Sequence, residues 1–235
     1  MPMAWIEHDH TDFAALVAHV ASELEHTCAV AIRERGMAWL ALAGGRTPLP
    51  IYALLAASCQ AANISAIPTD ERCVPHNHPA CNLHALRKTF AGNGAFVANS
   101  LTRGDGDIDA SLAQSRALLA LNPQPFDAVL LGMGADGHFA SLFPGAANVG
   151  DGLAMDSGLD AIATLPDPLP PEAPFARISL TLPRLLHARQ IHLVVTGEDK
   201  RRVLRLAQHQ DTTDGVPVAA LLHARDHRVQ IHWSP

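Results

Sequence analysis

The amino-acid sequence predicts an α/β fold in three layers, a doubly wound and mainly parallel sheet with helices on both faces. Two observations carry this. Short, largely apolar runs at residues 37–43, 128–131 and 191–196 have the length and composition of strands buried on both sides. Between them lie longer segments whose apolar residues recur at helical spacing, and strands alternating with helices build parallel sheets. The 235 residues contain no internal repeat and no linker-like stretch, so residues 1–235 are expected to form a single domain.

In chain order, residues 4–6 form a short first strand. Thr11 and Asp12 offer an N-cap to a helix in which Phe13, Leu16, Val17 and Val20 share a face; it runs to Arg35 and stops at Gly36. A buried strand over 37–43 exits through Gly44, Gly45, Arg46, Thr47 and Pro48 into a helix over 50–58. A strand over 64–67 runs into Asp70, Glu71 and Arg72, followed by a Pro-, His- and Asn-rich loop over 75–82 and a helix over 83–90. Residues 104–107 are a surface loop before a helix over 108–121. The strand 128–131 ends in a glycine break, where it gives way to a short helix. Residues 148–158, rich in Gly and Asp, are expected to be mobile; 161–165 form a strand, and 166–174, with five prolines, an irregular connection. A strand over 177–182 starts on Arg177, and 183–188 suits a short helix with Pro183 in its first turn. The strand 191–196 turns at Gly197 into a helix over 198–209, and a helix over 216–222 and a strand over 229–233 close the fold.

Composition narrows the function classes. With 48% hydrophobic and 17% charged residues the chain builds a substantial core, and its formal charge of −6 gives no general attraction to nucleic acid or an acidic membrane. An anionic ligand would have to be met by locally placed arginines and lysines. Four scattered cysteines are too few for a disulfide framework in a chain of this length. No basic-then-apolar leader and no bilayer-length apolar run is present, so the expected setting is the cytoplasm.

The stretch 127–145 carries the chemistry. Gly132, Gly134 and Gly137 surround Asp136 and His138, and Pro144 and Gly145 close the segment. An ordinary strand-to-helix turn with an Asp cap and a solvated His does not call for three glycines around an Asp-x-His pair. In open α/β sheets ligands bind outside the carboxyl ends of the strands, and glycines there admit a ligand close to the backbone. Four such exits carry unusual residues: 44–48, 70–82, 132–138, and Arg177 with 197–200. They converge on one edge, and the first offers backbone N–H groups at a helix N-terminus, which favours a phosphate.

Together these runs resemble the 6-phosphogluconolactonase family, within the larger group that includes glucosamine-6-phosphate deaminase. The matching residues are Ala43 to Pro48; Asp70 to Pro75 with His78 and Asn82; Gly132 to Gly145, the most specific; Arg177 to Thr181; and Gly197 to Lys200. They occur in the family's order from Met37 to Lys200. The resemblance implies a modified Rossmann-like fold and hydrolysis of 6-phospho-D-glucono-1,5-lactone to 6-phosphogluconate in the oxidative pentose phosphate pathway. It implies no cofactor and no metal, and a small phosphorylated sugar lactone as partner rather than nucleic acid or membrane. Three residues depart from the family pattern: Ala43 and Arg46 replace two serines of the first loop, and Cys81 replaces a serine before Asn82.

For that reaction His138 is the general base, since imidazole accepts a proton from water near neutrality. Asp136 either orients the imidazole or sits near the sugar. Asp70 is favoured as the third catalytic residue, with Glu71 a site residue or a cap for the following turn. Glycine N–H groups or Arg72 meet the oxyanion. Arg46, Arg177 and Lys200, with Gly44, Gly45 and Thr47, are the phosphate-binding candidates. Cys73, His76, His78 and Cys81 are ligand types that zinc accepts, although among fourteen histidines chance groupings are common, and His8 with His10 is read as one. Two other functions share the scaffold: a deaminase or isomerase of the glucosamine-6-phosphate type, or a sugar-phosphate-binding regulatory module without catalysis. Against the first, Phe143 stands where the deaminase run carries an acid-base glutamate. Against the second, a sensor needs no Asp136 and His138.

Overall fold

The computed structural model describes residues 5–166, 174–209 and 215–235. Its elements, in order, are β1 (Trp5–Asp9), α1 (Phe13–Arg35), β2 (Ala38–Leu42), α2 (Leu49–Ser58), β3 (Ile64–Pro68), β4 (Asp70–Arg72), α3 (Asn82–Thr89), β5 (Val97–Ala98) and α4 (Ile108–Leu121). Then come β6 (Ala128–Gly132), α5 (Val149–Leu153), β7 (Ala161–Thr164), β8 (Arg177–Leu180), α6 (Leu182–Leu186), β9 (Ile191–Thr196), α7 (Glu198–His209), α8 (Pro217–Leu222) and β10 (Val229–Ser234). Local chemistry explains the longest helix. The Asp12 carboxylate accepts the Ala15 N–H at 2.8 Å to start α1, and Gly36, at φ 79°, ends it in the left-handed region that glycine tolerates.

Seven strands form one parallel sheet in the order β1-β10-β9-β6-β2-β3-β5. From β2 the chain winds outward through β3 and β5, then returns to β6 on the other side of β2. The winding therefore reverses between β2 and β6, and a crevice opens at their carboxyl ends. The expected fold class is the observed one, and the exits 43–48 and 132–138 flank that crevice. Both faces of the sheet are buried. Ala38, Leu40 and Leu42 of β2 pack with Leu16, Val20 and Leu24 of α1 and Ile51 and Leu55 of α2. Trp39 and Ala41 turn the other way, toward Phe126, Leu131, Leu193 and Leu204. Each Leu or Ile side chain among them taken from water contributes about 1.5–3 kcal/mol, which is why strands of this composition settle in the middle layer.

Three features differ from the sequence expectation. Asp70, Glu71 and Arg72 are not a loop but the strand β4, which pairs with β8, and β8 with β7, in a separate antiparallel sheet. Arg177 accordingly starts an antiparallel strand instead of marking a parallel strand exit. No helix follows the glycine break: residues 133–148 run as turns, with bridges from Met133 to Phe139 and from Phe139 to Leu142. Gly137 and Ala140, at φ 78° and 47°, are left-handed, and a right-handed helix cannot pass through them. The stretch expected to be mobile instead carries α5. Residue 4 of the first strand and residues 167–173 of the proline-rich connection lie outside the described residues. Among the described residues, no helix is long and apolar enough to cross a membrane.

One patch between the sheet and α1 departs from apolar packing. His8 and His10 are not incidental, because β1 and β10 pair His8 with His232 and bring them onto one face. The rings of His8 and His232 stack at 4.8 Å, and His10, His19 of α1 and His192 of β9 join them at centroid separations of 5.2–5.8 Å. His192 and His232 are fully buried and linked through ring nitrogens 3.1 Å apart. Gln190, Gln230 and Thr27 supply the polar neighbours, and Asp9 is the acidic one beside His10. Burial, reinforced by the surrounding histidines, pushes His192 down to about 4 and His232 down to about 2. The unfolded chain binds protons at these imidazoles near pH 6.5 and the folded chain only well below it, so acidification favours unfolding across that interval. At pH 5 each buried histidine is expected to cost about 2 kcal/mol, from roughly 1.5 pH units at about 1.36 kcal/mol each. Thermal melts should show Tm falling from pH 7 to pH 5, and falling less in His232→Phe. Equal pH slopes in the two proteins would rule the stack out as the cause.

Candidate active site

The exits of β2 and β6 frame a cleft of about 360 Å³. Gly44, Gly45, Arg46 and Thr47 line it from the first exit and Gly134 and His138 from the second, with Asp70 and Arg72 from β4, Arg177 from β8 and Lys200 from α7. Of the site residues expected from sequence, all but Asp136 line this one cleft.

Asp136 stands behind His138. Its Oδ1 lies 2.6 Å from His138 Nδ1 and accepts the His138 backbone N–H at 3.2 Å. Burial works to raise the Asp136 carboxyl, but the hydrogen bonds and charge of His138 outweigh it and hold the group below the ordinary carboxylate range. An ionised carboxylate only accepts, so Nδ1 carries the proton and Nε2 is the nitrogen left with a lone pair. The pair fits because residue 134 is glycine: a Cβ there would lie 2.2 Å from His138 Nδ1 and 2.5 Å from Asp136 Oδ1.

The opposite wall hangs on Glu71, which is fully buried. Its Oε1 accepts the N–H groups of Arg72 and Asn82, each at 2.8 Å, and its Oε2 accepts that of Leu83 at 2.7 Å. Glu71 therefore caps α3 from a neighbouring strand, in place of Cys81, whose side chain makes no cap. Burial still pushes its carboxyl up, with the three N–H donors opposing. Asn82, held by that cap, donates to Asp70 O at 2.7 Å and accepts from Arg72 Nη1 at 2.8 Å. Arg72 Nη1 also donates to Ala80 O at 2.8 Å, so its guanidinium is fixed at the cleft wall.

Asp70 accepts a hydrogen bond from the Ser141 hydroxyl and stands 3.8 Å from Arg177 Nη1. Arg177 is buried rather than a solvated surface charge; burial lowers its guanidinium pKa and Asp70 opposes the shift. Burial likewise pushes the Lys200 ammonium down, against the charge of Asp136. Arg46 is exposed at the rim. In the first loop, no hydrogen bond among the described residues takes up the N–H groups of Gly44, Gly45, Arg46 and Thr47. Gly44 allows close approach of Asn82, whose Oδ1 would lie 2.1 Å from a Cβ at that position.

Sequence reasoning gave no role to Asn82 or Ser141, although both lie in the motif runs. Their signal was position alone, three residues after His138 for Ser141 and the start of α3 for Asn82. The Cys73 to Cys81 loop does not gather its side chains. His76 Nε2 lies 3.0 Å from Thr102 O, His78 Nδ1 accepts from Ala80 N–H at 3.1 Å, and Cys81 Sγ donates to Glu71 at 3.5 Å. Among the described residues no group of three or more such side chains is placed to hold a metal ion.

A doubly wound sheet with a cation-lined cleft at its switch point, and a histidine backed by an aspartate on its wall, defines an α/β protein with a site suited to a small anionic ligand. The chain belongs to the family of glucosamine-6-phosphate isomerases and 6-phosphogluconolactonases, whose model matches residues 11–233. It is 33% identical over 241 aligned residues to a 6-phosphogluconolactonase of Pseudomonas putida, covering 100% of this chain and 95% of the relative. It is 36% identical over 228 residues to one of Mesorhizobium japonicum, covering 94% of this chain and 90% of the relative. The crystal structure of a 6-phosphogluconolactonase from Shewanella baltica superposes with a TM-score of 0.88 at 30% identity, over 99% of this chain and 100% of that one. A monomeric glucosamine-6-phosphate deaminase shares the fold, with a TM-score of 0.77 at 19% identity over 96% of each chain.

Glu71→Ala would leave three backbone donors without their acceptor. At about 1–3 kcal/mol for a stranded buried group, the variant should lose at least about 2 kcal/mol of stability. Urea unfolding with an unchanged midpoint would show that α3 is capped some other way.

Proposed function

We propose that the chain hydrolyses 6-phospho-D-glucono-1,5-lactone to 6-phosphogluconate, a step of the oxidative pentose phosphate pathway. The observation that carries this reading is the 2.6 Å Asp136–His138 pair opening onto a cleft lined by Arg46, Arg72, Arg177 and Lys200. The names of the matched relatives support the same substrate.

His138 Nε2 takes a proton from water as the water oxygen bonds to the lactone carbonyl carbon. Asp136, ionised, holds the ring by Nδ1 and stabilises the imidazolium that forms. The carbonyl electrons move onto oxygen, and that oxyanion is met by Arg72 or by glycine N–H groups of the exits. When the tetrahedral intermediate collapses, the bond to the ring oxygen breaks and that oxygen takes the proton back from His138. The product is an open-chain carboxylic acid. The phosphate, remote from the reacting carbon, is held by cations and loop N–H groups drawn from Gly44, Gly45, Arg46, Thr47, Arg177 and Lys200. Asp70, on the same cleft wall, supports Arg177 from 3.8 Å. The setting we propose is the cytoplasm, which suits four cysteines that are all unpaired.

His138→Ala should lower kcat by roughly 10²–10⁴-fold, the usual contribution of a positioned general base, in an assay corrected for spontaneous lactone hydrolysis. Turnover within a few-fold of the parent would assign the water to another group. Asp136 should keep its charge, and its hold on Nδ1, to lower pH than an ordinary carboxylate because its carboxyl is held low.

Lys200→Ala and Arg46→Ala should mainly raise KM for the phosphorylated lactone, by an amount reflecting about 1.5–3 kcal/mol per charge-assisted contact. Preference over the unphosphorylated lactone should shrink in the same variants; an unchanged ratio would place the phosphate elsewhere. Glucosamine 6-phosphate should release no ammonia, since Phe143 offers no proton-transfer group beside His138.

A further inference from the structure

We propose that Phe143 is a positioning residue for His138, clamping the face of the imidazole while Asp136 holds its edge. The inference rests on the reading of His138 as the base. The chain path makes the contact possible. After His138, the left-handed Ala140, at φ 47°, and the bridge between Phe139 and Leu142 fold the segment back on itself. Residue 143 is thereby returned to the side of residue 138, and the two ring centroids lie 4.3 Å apart with planes inclined by 36°.

A single hydrogen bond at Nδ1 leaves an imidazole free to swing about that contact, carrying Nε2 through an arc. A ring packed on its face removes this freedom. Phe143 can serve because it is itself immobilised: it is 6% exposed, and the guanidinium of the buried Arg177 lies over its ring, 5.0 Å from Cζ to the centroid. An aliphatic side chain of similar volume would fill the space without presenting a flat face to either neighbour. The groups around the imidazole are then Asp136 at Nδ1 and Phe143 on its face, so the lone pair of Nε2 is directed by packing as well as by hydrogen bonding.

The test compares Phe143→Leu with Phe143→Tyr, each alone and in a His138→Ala background. Phe143→Leu should lower kcat roughly ten- to hundredfold, as small misplacements of reacting groups do, with KM changed less than about twofold. Phe143→Tyr, which keeps the ring, should stay near the parent. In the His138→Ala background Phe143→Leu should cost nothing further, whereas a role in general stability would cost the same in both backgrounds. In NMR spectra the His138 ring protons, shifted by the Phe143 ring current, should move in Phe143→Leu and not in Phe143→Tyr. Parent-like kcat in Phe143→Leu, or an equal loss in both backgrounds, would overturn the proposal. Should His138→Ala itself keep parent turnover, the base assignment fails, and the ring-proton shifts still decide whether Phe143 positions the imidazole. Phe143→Met takes the place of the Leu variant if circular dichroism shows the latter to be unfolded.

Discussion

A single buried carboxylate, that of Glu71, ties together much of the cleft wall. Moving an ionised carboxylate out of water is costly unless hydrogen bonds replace the lost solvation, and here three backbone N–H groups do so. Two of them belong to the first turn of α3, where the helix has no acceptor of its own. Through Asn82 the same anchor reaches the Asp70 carbonyl and the Arg72 guanidinium, and through the Asn82 side chain it abuts the Gly44 loop. The antiparallel strand, α3 and the anion-facing loop are thereby placed relative to one another before any ligand arrives. Asp70 and Glu71 divide the work because neighbouring residues of a strand face opposite sides. Asp70 points to the cleft and Glu71 into the packing behind it.

The elements that were legible in sequence are those with strong local signals. α1 has its Asp12 cap, its helical repeat and its Gly36 stop; α4, β9 and α7 have the bounds expected of them. The elements that were not legible depend on partners distant in sequence. β4 has three residues and β5 has two, too few for any periodicity, and β4 becomes a strand only because β8 lies alongside it. The same limit explains the site. Residues at parallel strand exits were found because the fold class alone brings such exits together. The division between Asp70 and Glu71 could not be read without knowing that they lie in a strand. His8 and His10 looked incidental because their partners, His192 and His232, arrive from the far end of the chain through strand pairing.

The segment 134–143 illustrates how a turn can hold more chemistry than the helix expected in its place. A helix would have put His138 and residues 141 and 142 on one face, and carried Phe143 away from the imidazole. The left-handed residues Gly137 and Ala140 instead fold the backbone tightly, so Asp136, Ser141 and Phe143 reach cleft-lining residues from behind the wall. Ser141 reaches Asp70 and Arg177, while Asp136 and Phe143 hold His138. Gly134, just after β6, is the counterpart, kept free of a side chain by the imidazole and carboxylate that occupy the space.

The charge distribution resolves an apparent conflict between an acidic protein and an anionic substrate. The chain carries a formal charge of −6, yet the groups facing the cleft are an imidazole, three guanidiniums and an ammonium against the single carboxylate of Asp70. Asp136 and Glu71 are set back, and Asp70 is engaged by its neighbours. Asp136 lies behind His138, Asp70 is engaged by Ser141 and stands near Arg177, and Glu71 is sunk among backbone donors. In a cleft with low-dielectric walls the near groups dominate the field, so an anion meets positive potential despite the net charge. The same arrangement suits the proton chemistry. Asp136, 2.6 Å from Nδ1, is close enough to stabilise the imidazolium of the proposed mechanism.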